Sequence, residues 1–126
     1  MVRSYRELAV WRKAMDIAVS CHHMTEGFPR SEQYGLALQL RRAAISVPAN
    51  IAEGQGRRHT TEFVQFPSIT CGSLNELETH IELVGYADAQ ETKRLLEHTA
   101  EIGRMLNGFS RSLTSKSRPR KPTADH

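Results

Sequence analysis

Four stretches of the chain repeat apolar residues every three or four positions, and glycine or proline separates each stretch from the next. This spacing is typical of amphipathic α-helices, because about 3.6 residues complete one helical turn. The fourth stretch is the most regular and follows a heptad rhythm through Leu95, Thr99, Ile102, Leu106, Phe109 and Leu113. No segment competes as a strand. The sequence therefore predicts an all-α fold, an antiparallel up-down-up-down four-helix bundle.

Capping residues indicate where the helices begin. Glycine and proline indicate where they end, as at Gly27-Phe28-Pro29 after the first helix. Pro67 predicts either a kink in the third helix or a regular helix that only starts there. Four helix starts are predicted: a Ser4-to-Glu7 capping box, Ser31, Thr60 or Thr61, and an Asp88-to-Glu91 capping box.

The stretch from Gln39 to Arg58 is the least ordinary part of the chain. Pro48 lacks a backbone donor and crowds the preceding turn, so we expect a kink there, with helix resuming beyond it. The Gly54-Gln55-Gly56 break is expected to stop this helix. Its apolar residues occupy more than one helix face. This breadth predicts that the helix packs both in the core and against another surface.

The first helix likewise has two apolar stripes. The first stripe, expected to face inward, contains Leu8, Trp11, Met15 and Ala18. The second contains Val10, Ala14, Ile17, Cys21 and Met24. A monomer would leave the extra apolar surface of the first two helices in water, which is a physical motive for self-association.

Length and composition indicate one folded domain over residues 1–113, followed by a disordered basic tail over 114–126. The chain lacks a run of apolar residues that would span a membrane and an apolar signal core at its start. Its two cysteines, Cys21 and Cys71, lie in apolar helical patterns and do not suggest a disulfide framework. We therefore expect a cytoplasmic protein with two buried thiols and no membrane partner.

Charge is unevenly distributed along the chain. Residues 1–60 contain nine basic residues (Lys or Arg) and five acidic residues (Asp or Glu). Residues 61–109 contain three basic and eight acidic residues, and residues 110–126 contain five basic residues and one acidic residue. Opposite charges on one small domain favour head-to-tail self-association as readily as nucleic-acid binding.

Motifs along the chain carry a family resemblance. They include Trp11-x-x-Ala14, Phe28-Pro29, Tyr34-Gly35-Leu36, Gln39 through Gly54, Glu62-Phe63, Gly72-Ser73-Leu74 and Gly103 through Gly108. On these residues the chain resembles the bacterial four-helix proteins encoded in intervening sequences of 23S ribosomal RNA genes, the S23-type ribosomal proteins. That family is similar to the accessory protein of diversity-generating retroelements. The resemblance implies a homopentamer with a basic surface able to bind nucleic acid, no enzymatic activity, and in the retroelement relatives a reverse transcriptase as partner.

Arginine clusters are the candidate nucleic-acid contacts, because guanidinium groups match phosphate oxygens. Arg57 and Arg58, in the loop after the second helix, are candidates for phosphate contact or for a local structural role. Arg41 is a further candidate, whereas we favour a structural or subunit-interface pairing for Arg42, since adjacent helix positions diverge by about 100°. The tail adds Lys116, Arg118, Arg120 and Lys121 as non-specific contacts, or only as solubilising charges.

The remaining candidates are structural. Pro48 and Gly54 are predicted to have structural roles in the second helix. We interpret Asn50 and Glu53 as a buried polar pair that satisfies carbonyls freed by the proline. His22 and His23 are adjacent and diverge, and neither His-x-x-x-His nor Cys-x-x-Cys occurs. The sequence therefore predicts no metal site, no cofactor and no catalytic residue.

Two functions fit these observations. The first is a non-enzymatic oligomeric scaffold that binds RNA or DNA. The second is a protein-binding assembly module that recruits a partner such as a reverse transcriptase. A small hydrolase using Glu53 and histidines is disfavoured, because nothing in the sequence places a partner base or metal beside that carboxylate.

Overall fold

A computed structural model of the chain describes residues 4–33, 35–85 and 88–117, with only the backbone of 114–117. These residues form four α-helices and no strand, which confirms the predicted all-α fold. Short 3₁₀ segments at Tyr5–Glu7, Arg30–Glu32 and Thr61–Gln65 precede the first three helices. The helices are α1 (Ala9–Glu26), α2 (Leu36–Gly56), α3 (Phe66–Val84) and α4 (Ala89–Ser117).

Each helix packs against the next along the chain, and α1 also packs against α4. One apolar core lies between them. All four helices contribute fully buried side chains to it, among them Ile17, Leu40, Ile51, Leu77, Ile81, Leu95, Ile102 and Leu106. In the described part of the chain, no helix is both long and apolar enough to cross a membrane.

The first helix begins later than its capping signal predicted. The Ser4 hydroxyl accepts a hydrogen bond from the Arg6 amide at 3.2 Å and caps only the Tyr5–Glu7 turn. Leu8 is extended, with φ −77° and ψ 125°, and its side chain is buried. The predicted capping box was wrong because burial of Leu8 interrupts the helix before Ala9.

The second helix also begins later than predicted, at Leu36 rather than after Ser31. The residues between the two helices cover the end of α1 instead. The Gln33 side-chain amide donates to the carbonyl oxygens of Thr25 at 3.1 Å and Phe28 at 3.0 Å. These bonds tie the segment between the helices to the last turn of α1 and to the turn that follows it.

Pro48 lies buried inside α2, and the helix continues beyond it, as predicted. The glycine break stops the helix later than expected, since α2 includes both Gly54 and Gly56. Gly54 is buried against Phe66 of α3: a Cβ atom added to the glycine would lie 2.4 Å from the Phe66 Cβ atom. Only glycine permits this close approach of α2 and α3 without a shift of the backbone.

The start of α4 follows its sequence signal, whereas α3 begins at Phe66 rather than at Thr60 or Thr61, because the residues after Thr60 form the 3₁₀ segment Thr61–Gln65 instead. Pro67 lies in the first turn of α3, so the prediction that regular helix starts late is confirmed. Asp88 Oδ1 accepts a hydrogen bond from the Glu91 amide at 3.0 Å, as the capping box predicted. The α4 helix runs to Ser117, four residues beyond its expected end. Residues 118–126 lie outside the described residues, so the disordered tail remains a prediction.

The second stripe of α1, rather than the first, faces the core. Val10, Ala14, Ile17 and Cys21 are buried, while Trp11 and Ala18 are partly buried. Five large apolar side chains in the described residues remain exposed: Met15 (37%), Val19 (50%), Ile45 (59%), Ile69 (57%) and Leu83 (54%).

Candidate nucleic-acid interface

The end of α2 and the 3₁₀ segment that follows it are joined by Arg57. Its guanidinium lies 3.1 Å from Glu53 Oε1 and donates a short hydrogen bond to Glu62 Oε2. The hydrogen bond that Arg57 donates to Glu62, together with the negative charges of Glu62 and Glu53, raises the pKa of Arg57. Two carboxylates therefore surround one cation. Arg57 holds a local turn together, and this pairing reduces its ability to attract phosphate.

Arg58 has a different environment. Its side chain is exposed, and within the described residues no carboxylate lies within 4.0 Å of its guanidinium. Its neighbour His59 is exposed as well. Of the two adjacent arginines, Arg58 is the one whose charge is available to an external ligand.

An aromatic cluster brings the C-terminal part of α4 to this region. Phe66 stacks on Phe63 with ring centroids 5.2 Å apart, and it contacts Phe109 of α4 edge-on at 5.9 Å. Arg111, two residues after Phe109, is exposed and also has no carboxylate within 4.0 Å among the described residues. Sequence reasoning missed Arg111. Its signal was that basic residues follow the end of α2 and also lie near the end of α4.

A cleft of about 200 Å³ lies between the end of α2 and the start of α3. Apolar surface from Phe66 and Ile69 meets polar groups there. The complete lining consists of Asn50, Glu53, Gly54, Arg57, Glu62, Gln65, Phe66 and Ile69. The cleft thus combines an apolar base with one guanidinium and two carboxylates, an environment that disfavours a phosphate group.

The polar pair predicted beside Pro48 is not formed. Asn50 Nδ2 donates to Ser73 Oγ at 2.6 Å and links α2 to α3, whereas Glu53 is exposed and pairs with Arg57. The prediction was wrong because Glu53 points to solvent, where the arginine four residues later offers an ion pair at helical spacing.

Arg41 and Arg42, the two adjacent arginines of α2, lie in different environments. Arg41 is half-buried, and its Nε donates to Thr25 Oγ1 at 2.6 Å, which ties α2 to the end of α1. Arg42 is exposed and has no carboxylate within 4.0 Å among residues 4–33, 35–85 and 88–117. Pairing of Arg42 with α3 of its own chain is therefore not observed, and pairing with another subunit remains a prediction.

The tail candidates lie mostly outside the described residues. Lys116 belongs to the last turn of α4, where only the backbone is described. Arg118, Arg120 and Lys121 lie outside the described residues.

Thiols and histidines in the described residues show ordinary environments. Burial raises the pKa of Cys21 to about 12, whereas Cys71 is only partly buried. His22 and His23 both approach Glu26, at 3.6 and 3.4 Å. No group of three or more His, Cys, Asp or Glu within the described ranges is arranged to hold a metal ion.

Comparison with known proteins gives one informative result. The model of the family described as 23S rRNA-intervening sequence protein matches residues 6–108, a range that contains α1, α2, α3 and most of α4. No curated protein sequence matches the chain significantly.

Proposed function

This chain belongs to the family of 23S rRNA-intervening sequence proteins, and we propose that it is a non-enzymatic, self-associating scaffold that binds RNA or DNA. The binding surface in this proposal is a basic end, defined by Arg58, Arg111 and the tail cations Lys116, Arg118, Arg120 and Lys121. The observation that carries the proposal is the approach of two basic segments to one aromatic cluster. Phe66 contacts both Gly54, four residues before Arg58, and Phe109, two residues before Arg111.

The proposal includes the antiparallel up-down-up-down arrangement of the helices. Contacts between α2 and α3 support it, because Asn50 meets Ser73 while the later residue Gly54 meets the earlier residue Phe66. As position increases along α2, it decreases along α3, which is the pattern of antiparallel neighbours.

Two other helix pairs, α3 with α4 and α1 with α4, support the same arrangement. Thr92 donates to the Gly85 carbonyl at 3.0 Å, whereas the later Thr99 meets the earlier Glu78 at 2.6 Å. In α1, Lys13 pairs with Glu101 at 3.0 Å. The later residues His23 and Met24 of α1 line one cleft with the earlier residues Glu91 and Arg94 of α4. In an up-down-up-down bundle, α2 and α4 end on the same side, which would gather the cations of the basic end.

Phosphate binding at such a surface has a measurable signature. Each cation that neutralises a phosphate releases counterions, so the logarithm of the association constant falls linearly with the logarithm of the salt concentration. The slope is about 0.7 per contact for single strands and about 0.9 for duplex DNA.

The test is fluorescence anisotropy of a labelled single-stranded RNA between about 50 and 200 mM salt. We expect the affinity of the wild-type protein to fall as salt rises. The R58A/R111A variant should bind more weakly, with a salt slope lower by about 1.4 if both cations contact phosphate. The matched control is R30A/K93A, which removes two exposed cations outside the basic end.

An equal loss of affinity in the two variants would show that only total charge matters and would remove the basic end as the binding surface. Absence of binding, or affinity independent of salt, would remove the nucleic-acid function. That result would favour the second function, recruitment of a protein such as a reverse transcriptase, because the exposed apolar side chains supply a protein-binding surface.

A further inference from the structure

Two aromatic side chains meet at the start of the first helix. Tyr5 lies in the 3₁₀ turn before α1, and Trp11 lies in the first turn of α1. Their ring centroids are 5.1 Å apart, and the ring planes meet at 64°, so the edge of one ring contacts the other ring. Both residues are partly exposed. Part of this pair, here called the N-terminal aromatic pair, is therefore accessible to a ligand.

Arginines flank the N-terminal aromatic pair. The Cζ atom of Arg6 lies 4.7 Å from the centroid of the Tyr5 ring, which is a cation–π contact. Arg12, the neighbour of Trp11 in the sequence, is exposed. Among the described residues, neither arginine has a carboxylate within 4.0 Å. The surface thus combines aromatic rings with a guanidinium that lies over one of them and with positive charge.

The N-terminal aromatic pair lies toward the basic end of the proposed bundle. The Tyr5–Glu7 turn contacts α2 as well as α1. Arg41, near the start of α2, meets Thr25 at the end of α1, so the start of α1 lies toward the end of α2. Arg58 directly follows that end of α2. One extended strand of nucleic acid can therefore reach both the aromatic pair and the basic end.

This combination of groups distinguishes single strands from duplexes. Unpaired bases stack on aromatic side chains and on guanidinium planes, whereas the bases of a duplex are already stacked on each other. Stacking accepts any base, because every base has a π face. The phosphates of the same strand match the flanking guanidinium groups.

From these contacts we infer that Arg6 and the N-terminal aromatic pair form a stacking subsite for an unpaired nucleobase, so that the ligand of the scaffold is a single strand. The inference rests on the nucleic-acid binding of the proposed function and names the form of that ligand. In this subsite a base stacks on the layer that Arg6 and Tyr5 form, and the flanking phosphates lie against Arg12 and Arg58. The cations of the basic end alone would bind a strand equally well with or without its bases.

Removal of the bases from the ligand tests the subsite. An oligodeoxyadenylate is compared with an abasic oligonucleotide of the same length, which keeps the sugars and phosphates. We expect the oligodeoxyadenylate to bind at least about fivefold more tightly, as one stacked base contributes. Trp11 is the only tryptophan of the chain, so its fluorescence reports on this subsite. The emission should change with the oligodeoxyadenylate and stay constant with the abasic strand.

Two substitutions test whether the stacking belongs to these residues. Tyr5→Leu removes the ring and keeps an apolar side chain, and it should lower the affinity for oligodeoxyadenylate by at least about fivefold. Arg6→Lys keeps the charge and removes the guanidinium plane, and it should lower the same affinity. Both variants should bind the abasic strand as the wild type does. Tyr5→Phe retains the ring and should keep the wild-type affinity for both strands.

Arg30→Lys is the matched control for Arg6→Lys, because Arg30 is exposed and lies in the turn after α1, away from the subsite. It should leave both affinities unchanged. Circular dichroism establishes that each variant is folded, and Arg6→Lys, a change at an exposed residue, decides the matter if Tyr5→Leu does not fold.

Equal affinity of the wild type for the two strands would overturn the inference alone, since binding would persist without a stacked base. The same conclusion would follow if the Tyr5→Leu and Arg6→Lys variants kept the full preference for oligodeoxyadenylate. Failure of the wild type to bind either strand would overturn both the inference and the proposed nucleic-acid function.

Discussion

At the scale of single residues, Gly54 has the most restrictive environment. Alanine at this position would place its Cβ atom 2.4 Å from the Cβ atom of Phe66, an atom that no rotamer change can move. We expect Gly54→Ala to lower the free energy of unfolding by about 1–3 kcal/mol, the usual cost of overpacking a core. Urea denaturation followed by circular dichroism measures this change.

Gly72 provides the matched control, because it lies inside α3 and a Cβ atom there would meet nothing within 4 Å. Gly72→Ala should leave the free energy of unfolding unchanged or raise it by up to about 1 kcal/mol, since alanine favours helix over glycine. Equal effects of the two substitutions would contradict the close packing of α2 on α3.

The two thiols should differ in reactivity. Burial raises the pKa of Cys21 to about 12, so the reactive thiolate is strongly disfavoured there at pH 8. Burial also raises the pKa of Cys71, although its side chain remains partly accessible. We expect iodoacetamide at pH 8 to modify Cys71 at least about tenfold faster than Cys21. Peptide mass spectrometry resolves the two sites, and equal rates in the folded protein would contradict the burial of Cys21.

At the scale of helices, the pairing of α3 with α4 includes one buried hydroxyl. Thr99 is fully buried, and its Oγ1 lies 2.6 Å from Glu78 Oε2. Thr99→Val preserves shape and branching but removes this hydrogen bond, so the free energy of unfolding should fall by about 1–3 kcal/mol.

Thr79→Val tests the same change on the surface, where, among the described residues, the Thr79 hydroxyl bonds only to the Asn75 carbonyl of its own helix. Its effect should stay within about 0.5 kcal/mol. If chemical denaturation gives the same loss for both variants, the contact with Glu78 does not stabilise the helix pair.

Helix ends were predictable where the signal was local. The Asp88 cap depends on residues within one turn, and the structure forms it. The start of α1 was not predictable, because burial of Leu8 in the core overrides the capping signal at Ser4. The predicted start of α2 was wrong for a similar reason, because Gln33 bonds to the end of α1.

At the scale of the whole molecule, apolar periodicity was sufficient for the fold class, because each helix buries a continuous stripe. The candidate site was less predictable. Arg57 and Glu62 are five residues apart across a turn. Helical periodicity predicts contacts between residues three or four apart, so the sequence did not predict that Glu62 pairs with Arg57. Arg111 required knowledge of which segments the aromatic cluster brings together.

The proposed assembly also has a direct measurement at this scale. Light scattering coupled to size exclusion should give a mass of about 71 kDa if five chains of 14.2 kDa assemble. Another multiple of the chain mass would correct the number of subunits, whereas the mass of one chain would exclude self-association under those conditions.

The contact between Gly54 and Phe66 also limits which residues can replace Gly54 while α2 and α3 keep their spacing. Every residue other than glycine carries a Cβ atom, so no smaller side chain at position 66 removes the clash that a larger residue at position 54 would meet. Gly54→Ala should therefore remain destabilising even when it is combined with Phe66→Leu, because leucine keeps the Cβ atom. Glycine at position 54 would then mark the chains that keep this helix spacing.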